Sequence, residues 1–202
     1  AGTSDRLRPP VGSVVDVAEG VVDITSLLAA LEATSLAERL RESLYWFPLI
    51  ESAHVIGLTM VFGTIAIIDL RLLGIASARR PFTSVATDTL KWTWLAFALT
   101  AITGFLMFMT NARVYFHNIY FDLKMGAIAL SGVNMMVFEV TTRRSVDRWD
   151  GSAAPPAGRT AAALSLALWI SVIFLGRWVG FTTTHATPTV EPDVDIEQLL
   201  PH

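Results

Sequence analysis

The sequence predicts an all-α integral membrane protein: a four-transmembrane-helix bundle with an N-terminal interfacial amphipathic helix. The 202-residue chain is 52% hydrophobic and only 16% charged, with a mean hydropathy of +0.51, which is more apolar than ordinary soluble proteins. The apolar residues are bunched into four runs of about 20 residues, the length that crosses a ~30 Å hydrocarbon layer. The expected spans are residues 48–70, 92–110, 121–140 and 161–181.

The remaining composition excludes several classes of protein. The chain has no cysteine, so disulfides, thiolate-ligated iron–sulfur clusters and covalently attached c-type haem are excluded. No basic patch is interleaved with exposed aromatic residues, and a nucleic acid is therefore not expected as a partner. The lipid bilayer is the expected environment. We divide the chain into an N-terminal extension (1–34), the membrane domain (35–181) and an acidic tail (182–202).

An amphipathic helix is expected before the first span, between residues 25 and 44. Ser35 followed by Glu38 resembles a capping box, in which each side chain satisfies a backbone N–H of the first turn. Leucines recur on one face opposite charged residues, which suits a helix in the membrane interface. Pro48 is comfortable in a first helical turn, and Gly74 is a natural helix end. These two residues predict the limits of the first span.

Charge distribution predicts the orientation. The connections at residues 71–91 and 141–160 carry four Arg or Lys residues each. Loops rich in Arg and Lys face the cytoplasm. We therefore expect both loops to be cytoplasmic and both termini to lie on the opposite side of the membrane.

Several polar residues are expected to converge at one end of the bundle. In an up-and-down bundle, the starts of spans 1 and 3 share a face with the ends of spans 2 and 4. At ~1.5 Å per residue, His54 lies about 9 Å below Pro48, and ionisable groups at such depth usually mark a site. The residues expected on this face are Glu51, His54, His117, Lys124, Arg177 and His185.

Each of these residues has a structural as well as a functional interpretation. Glu51 could form an ion pair with Arg177 or Lys124. His54 could be a neutral imidazole that hydrogen-bonds between helices, or a ligand of a metal or haem iron. His117 lies in an aromatic loop and could be an interfacial residue or a second metal ligand.

The other end of the bundle is expected to be held by salt bridges. Asp69 and Arg71 lie near the end of span 1, and Glu139 and Arg143 near the end of span 3. We expect these four residues to form mutual ion pairs. Asn134, in the middle of span 3, is expected to hydrogen-bond to a neighbouring helix.

Three metal chemistries can be compared with these residues. A carboxylate-bridged di-iron site needs two Glu-x-x-His turns, and only Glu51 and His54 provide one. A zinc hydrolase needs three protein ligands, which these two and His117 supply only if the loop folds inward. A b-type haem needs as little as one imidazole and cations near its propionates. His54 with Lys124 and Arg177 meets that requirement most economically.

Four segments also carry a family resemblance: ESLYWFPLIESAHVIGLTMVFGTIAIIDLRLLG, TGFLMF, FDLKMG and LGRWVGF. Together they resemble an uncharacterised family of bacterial four-span inner-membrane proteins, one of the domains of unknown function, over residues 43–181. The resemblance implies the fold and a location in a bacterial inner membrane, where both termini would be periplasmic, but it implies no established activity.

A more distant similarity is to the haem-dependent four-span protoporphyrinogen oxidases and to membrane proteins of the copper-resistance D type. It implies that His54 is an iron ligand and that Lys124 is a cation on the haem or substrate side. The oxidase pattern has further histidines where this chain has Asp69, Asn134 and Glu139. That difference counts against protoporphyrinogen oxidation.

Three functions follow as hypotheses. The first is a b-type haem-binding subunit that passes electrons between a periplasmic partner and quinone or another membrane component, with His54, Lys124, Arg177 and Glu51 at the cofactor. The second is a cofactor-free membrane anchor or accessory subunit, whose residues 1–34 and 182–202 contact a protein partner. The third is metal or proton transport through Glu51, His54 and His117. Whether the protein is an enzyme is left open.

Overall fold

A computed structural model describes residues 24–76, 80–150 and 152–185. Four of its helices are long and apolar enough to cross a membrane, and no strand occurs in these ranges. The predicted all-α, four-span fold class is confirmed. The helices are α1 (residues 24–32), α2 (Ser35–Glu42), α3 (Trp46–Leu73), α4 (Phe82–Thr110), α5 (Ala112–Phe116), α6 (Ile119–Thr141) and α7 (Pro156–His185), with a 3-10 helix at Arg143–Arg148. Most of the predicted N-terminal extension and acidic tail lies outside the described residues.

The four long helices pack in the spatial order α4, α3, α7, α6. Helix α3 is central because it packs against α4 on one side and α7 on the other. The backbones of α4 and α6 make no extended contact, but aromatic rings bridge them at both ends. Phe108 stacks on Phe121 at 5.5 Å between ring centroids, and Phe82 meets Phe138 edge-on at 5.8 Å. In the middle, the buried indole of Trp169 packs among residues of all four helices.

The limits of α3 follow from its end residues. Pro48 lies in the first turn, where a missing N–H costs nothing, although the helix begins two residues earlier, at Trp46. Gly74 ends the helix with φ of 77°, a left-handed conformation that is strained for residues with a Cβ. Gly74 therefore ends the helix as predicted.

Helix α2 is amphipathic, as predicted, but its cap is one residue earlier than expected. The hydroxyl of Thr34, not that of Ser35, accepts a hydrogen bond from the backbone N–H of Ala37. Ala37 and Leu40 are buried against the bundle, whereas Leu36 and Leu44 are exposed. This arrangement leaves two leucines on the surface available to lipid.

Two arginines attach the α1–α2 segment to the end of α4. The guanidinium of Arg41 donates hydrogen bonds to the carbonyls of Thr110 (3.1 Å) and Glu32 (3.0 Å). Arg113 donates to the Glu32 carboxylate from its Nε (2.7 Å) and from its backbone N–H (2.8 Å). Glu32, Arg41 and Arg113, with Thr110, line an open depression of about 380 Å³.

Arg71 does not form the salt bridge expected at the other end of α3. Its side chain is almost completely buried, with 1% exposed, and it donates to three backbone carbonyls: Arg80 at 2.6 Å, Asp150 at 3.1 Å and Ser152 at 3.4 Å. Asp150 in turn accepts hydrogen bonds from the backbone and hydroxyl of Thr83 at the start of α4. One guanidinium thus joins both connections of this end.

The other expected ion pairs at this end are confirmed only in part. Glu139 and Arg143 form a salt bridge of 2.7 Å on the surface of α6. Asp69 pairs with no cation among the described residues, and its carboxyl hydrogen-bonds the Ser165 hydroxyl of α7 instead. The predicted interhelical role of Asn134 is confirmed, because its amide donates to the carbonyl of Ala161 in α7 at 2.9 Å.

Replacement of Arg71 by methionine should destabilise the fold by about 3 kcal/mol, because three carbonyls lose a charged donor inside the protein. Thermal unfolding of the purified protein in detergent measures the change. The matched control is Arg80→Met, which removes an exposed guanidinium paired with Asp88 and should cost at most about 1 kcal/mol. Equal losses in the two variants would show that the buried contacts of Arg71 contribute nothing special.

The attachment of α1 should weaken in acid. Burial acts to raise the pKa of Glu32, but the hydrogen bonds and charge of Arg113 outweigh it and hold that pKa below its ordinary value of 4.5. A carboxyl with a depressed folded-state pKa stabilises fully above the unfolded value and loses that stabilisation as the pH falls. The protection of residues 24–32 against hydrogen exchange, measured relative to the intrinsic rate at each pH, should therefore decrease below the ordinary pKa of Glu32. In Glu32→Gln this protection should be low at all pH values, whereas Glu38→Gln should behave like the wild type.

Candidate functional site

His54 projects from α3 toward α4. Its Nδ1 lies 3.0 Å from the carbonyl oxygen of Thr100 and 3.1 Å from the hydroxyl of Thr103. Both threonine hydroxyls also bond to carbonyls of the preceding turn of α4. The expected hydrogen bond between helices therefore exists, and it ties the first two spans together.

The Thr100 carbonyl fixes the tautomer of the imidazole. A carbonyl oxygen can only accept, so Nδ1 of His54 must carry the proton that is donated to it. In a neutral ring the lone pair then belongs to Nε2, which has no hydrogen-bond partner among the described residues. Histidines that ligate metals typically donate their other N–H to a carbonyl or carboxylate in this way.

A glycine permits the close approach of this ring to α4. A Cβ at position 104 would lie 2.9 Å from Cε1 and 3.3 Å from Nδ1 of His54, closer than a carbon atom can come without displacing the ring. Gly104 is therefore required for the position of the imidazole. The motif TGFLMF, which begins at Thr103 and Gly104, already contained two of the residues that seat His54.

Lys124 joins the site from α6. Its side chain is half-buried and runs along Gly176 of α7, where an added Cβ would lie 3.6 Å from Nζ. It is close enough to His54 to act on that ring electrostatically. Among the described residues, no carboxylate forms an ion pair with it. An ammonium group that is withdrawn from water without a counter-charge is costly, which makes Lys124 the group in this region most in need of an anion.

The ion pair expected for Glu51 is not formed. Glu51 is exposed and has no cation within salt-bridge distance among the residues described. Arg177 is also exposed, and its guanidinium lies 4.5 Å above the ring of Phe181. Gly176, which lies beside Lys124, and Arg177 are neighbours in the sequence but occupy different sides of α7. Lys124 and Arg177 therefore have different surroundings, and of these two cations only Lys124 acts on His54.

Glu51 instead lies near an aromatic cluster at this end of the bundle. Tyr115, Phe108 and Phe121 pack with ring centroids 5.5–6.2 Å apart. Burial raises the pKa of the Tyr115 phenol, and the Glu51 carboxylate adds to this shift. The sequence did not predict this cluster as a unit, because its members come from three separate helices.

Among the described residues, His117 does not complete a metal site with His54. His117 is exposed, and its Nδ1 lies 2.8 Å from the carbonyl of Arg113, one turn before it. The side chain of His185 lies outside the description. No group of three or more His, Asp or Glu residues in the described ranges is arranged to hold a metal ion. Glu51, His54 and His117 are thus not gathered as ligands of one ion.

Comparison with known protein families shows which family the chain belongs to. Residues 44–182 match the family of unknown function DUF6644. The chain belongs to this family. No curated protein and no solved structure gives a significant match, and the distant similarity to haem-dependent oxidases and copper-resistance D proteins stays a prediction. DUF6644 is a family of unknown function, so membership implies no activity, and the proposed function rests on the residues around His54.

Replacement of Gly104 by alanine should displace the His54 ring and destabilise the fold by about 1–3 kcal/mol, the usual cost of overpacking. Thermal unfolding in detergent is the measurement. The control is Gly132→Ala in α6, where an added Cβ meets nothing within 4 Å. If both variants unfold at the wild-type temperature, the ring is not held against α4 as described.

Proposed function

We propose that this DUF6644 protein is a membrane subunit that binds one b-type haem and passes electrons between a periplasmic partner and quinone or another membrane component. The observation that carries the proposal is the state of His54. Its Nδ1 is committed to the Thr100 carbonyl, so its Nε2 lone pair is available as an axial ligand. A haem bound there would supply one-electron chemistry.

Lys124 supports the same proposal from the opposite helix pair. Haem carries two propionate carboxylates, and the half-buried Lys124 ammonium, which has no carboxylate partner among the described residues, is suited to receive one of them. Gly104 and Gly176 keep both side chains close to helix backbones. The roles of Glu51 and Arg177 change, however: their exposure favours contact with a partner or with lipid headgroups over contact with the cofactor.

The proposed orientation follows the charges of the two long connections. The loops joined by Arg71 carry most of the cations between spans, which favours a cytoplasmic location for them. The His54 end of the bundle then faces the periplasm. A donor or acceptor on the periplasmic side would therefore be the nearer partner of a centre at His54.

The second candidate is a cofactor-free anchor or accessory subunit. The observation that favours it is the sparse coverage of α6. Only 6% of the most apolar window of α6 is buried, against 22–28% for the other three spans. Although α6 packs against α7, most of its apolar surface is uncovered, and such a face can pack against a span of another protein.

An absorption spectrum distinguishes the two candidates. The full-length protein, purified in detergent from cells supplied with haem, should show a Soret band that shifts on reduction with dithionite. His54→Ala should abolish the band because the axial ligand is lost. The matched control His117→Ala removes an exposed imidazole and should leave it unchanged.

Three outcomes would overturn the haem proposal. A folded wild-type protein without haem in a pyridine haemochromogen assay is the first, and an unchanged spectrum in His54→Ala is the second. The third is a spectrum lost equally in the His117→Ala control. A colourless protein that copurifies with a second subunit in fixed stoichiometry would favour the anchor.

A further inference from the structure

Asp69 is a buried carboxyl group at the opposite end of α3 from His54. The two residues are separated by about 22 Å along the helix axis, at 1.5 Å per residue. Only 6% of Asp69 is exposed. The Ser165 hydroxyl of α7 lies beside its carboxyl, and its Oδ2 is buried with no hydrogen-bond partner among the described residues. The function proposed above does not use this group.

No cation compensates Asp69 among the residues described. On its own helix, Arg71 turns its guanidinium toward the loop carbonyls. The remaining charged groups near this end are on the surface or engaged elsewhere, and none has an electrostatic effect on the carboxyl. On α4 and its preceding turn, Asp88 and Arg80 pair with each other, and Lys91 is exposed. Glu139 of α6 pairs with Arg143, the first residue of the 3-10 helix. Arg144, Asp147 and Arg148 of the 3-10 helix and Arg159 of α7 are exposed, and Asp150 accepts hydrogen bonds from Thr83.

A metal cation does not fit this position. Hard cations such as Na⁺, Mg²⁺ and Ca²⁺ need several oxygen ligands around them. Asp69 is accompanied by a single hydroxyl, and the described residues offer no cluster of acidic or histidine side chains. An ionised carboxylate without partner or cation would be strongly penalised in this environment. The one ligand that removes the charge and occupies no space is a proton.

We propose that Asp69 is an intramembrane proton-binding site, loaded at neutral pH. The proton binds to the carboxylate to give a neutral carboxylic acid, with Ser165 as its hydrogen-bond partner. Ionisable residues buried at membrane depth are commonly proton relays. The α3–α4 and α6–α7 connections, which Arg71 holds together, are the part of the protein surface nearest to Asp69. The proton therefore exchanges with water on that side of the membrane.

Infrared spectroscopy of the full-length protein in lipid nanodiscs tests the proposal. The wild type at pH 7 should show the C=O stretch of a protonated carboxylic acid, which carboxylates lack. The band should shift when aspartate is labelled with ¹³C, and it should disappear in Asp69→Asn. The control Asp150→Asn removes a carboxylate bonded to Thr83 and should leave the band intact.

Stability gives a second readout. Asparagine reproduces the shape and neutrality of a protonated aspartic acid, so Asp69→Asn should unfold at the wild-type temperature at pH 7. In alkaline solution the wild type should lose stability relative to this variant, because its carboxyl ionises. The proposal is overturned if the ¹³C-sensitive acid band is missing from the wild type, if it survives in Asp69→Asn, or if Asp69→Asn fails to fold.

Discussion

The burial of polar groups on α3 is the constraint on which the rest of the bundle depends. Lipid offers no hydrogen bonds, so every polar group that enters the bundle must find its partner in the protein. Helix α3 brings three such groups inside, and each has a different partner, although Oδ2 of Asp69 and Nε2 of His54 have none among the described residues. His54 uses a backbone carbonyl of α4, Asp69 uses a hydroxyl of α7, and Arg71 uses carbonyls of both connections. Because these partners are on different elements, α3 fixes the positions of its neighbours.

The sequence could predict the number of spans and the ends of the first one, because length, apolarity, Pro48 and Gly74 are local signals. It could also predict which polar residues share an end of the bundle, because chain reversal alone decides that. It could not predict the rotation of each helix about its axis. Glu51 is one turn from His54, yet one side chain is exposed and the other is turned against α4.

The same limit explains the salt bridges. Glu139 and Arg143 are four residues apart across the end of α6, a spacing that brings their charges together wherever the helix lies. The ion pairs expected between helices depended on helix rotation and on the geometry of the loops. In the structure, Arg71 donates its hydrogen bonds to backbone carbonyls and not to a carboxylate. A guanidinium carries five donors, and Arg71 satisfies the carbonyls of two connections, which one carboxylate could not do.

The packing order places the His54 site at a seam. Helices α3 and α4 form one closely packed pair and α6 and α7 another, joined through the contact of α3 with α7. His54 belongs to the first pair and Lys124 to the second, so any ligand that engages both side chains would bridge the pairs. Near the helix ends, α4 and α6 contact each other through aromatic rings. A small rotation of either helix costs less energy at such a contact than at a closely packed helix–helix interface.

An apolar layer separates the two polar ends of α3. Between His54 and Asp69 the core consists of Val61, Ala96, Trp169 and Val172, with Ala127 and Ile128 of α6 packed against them. A proton moves along a chain of hydrogen bonds, and apart from the indole N–H of Trp169 these side chains carry no hydrogen-bonding group. They therefore form no continuous proton path between the two ends of α3. The proton proposed at Asp69 would exchange with the nearer aqueous phase, and the haem proposed at His54 would lie closer to the opposite one, with this apolar layer between them.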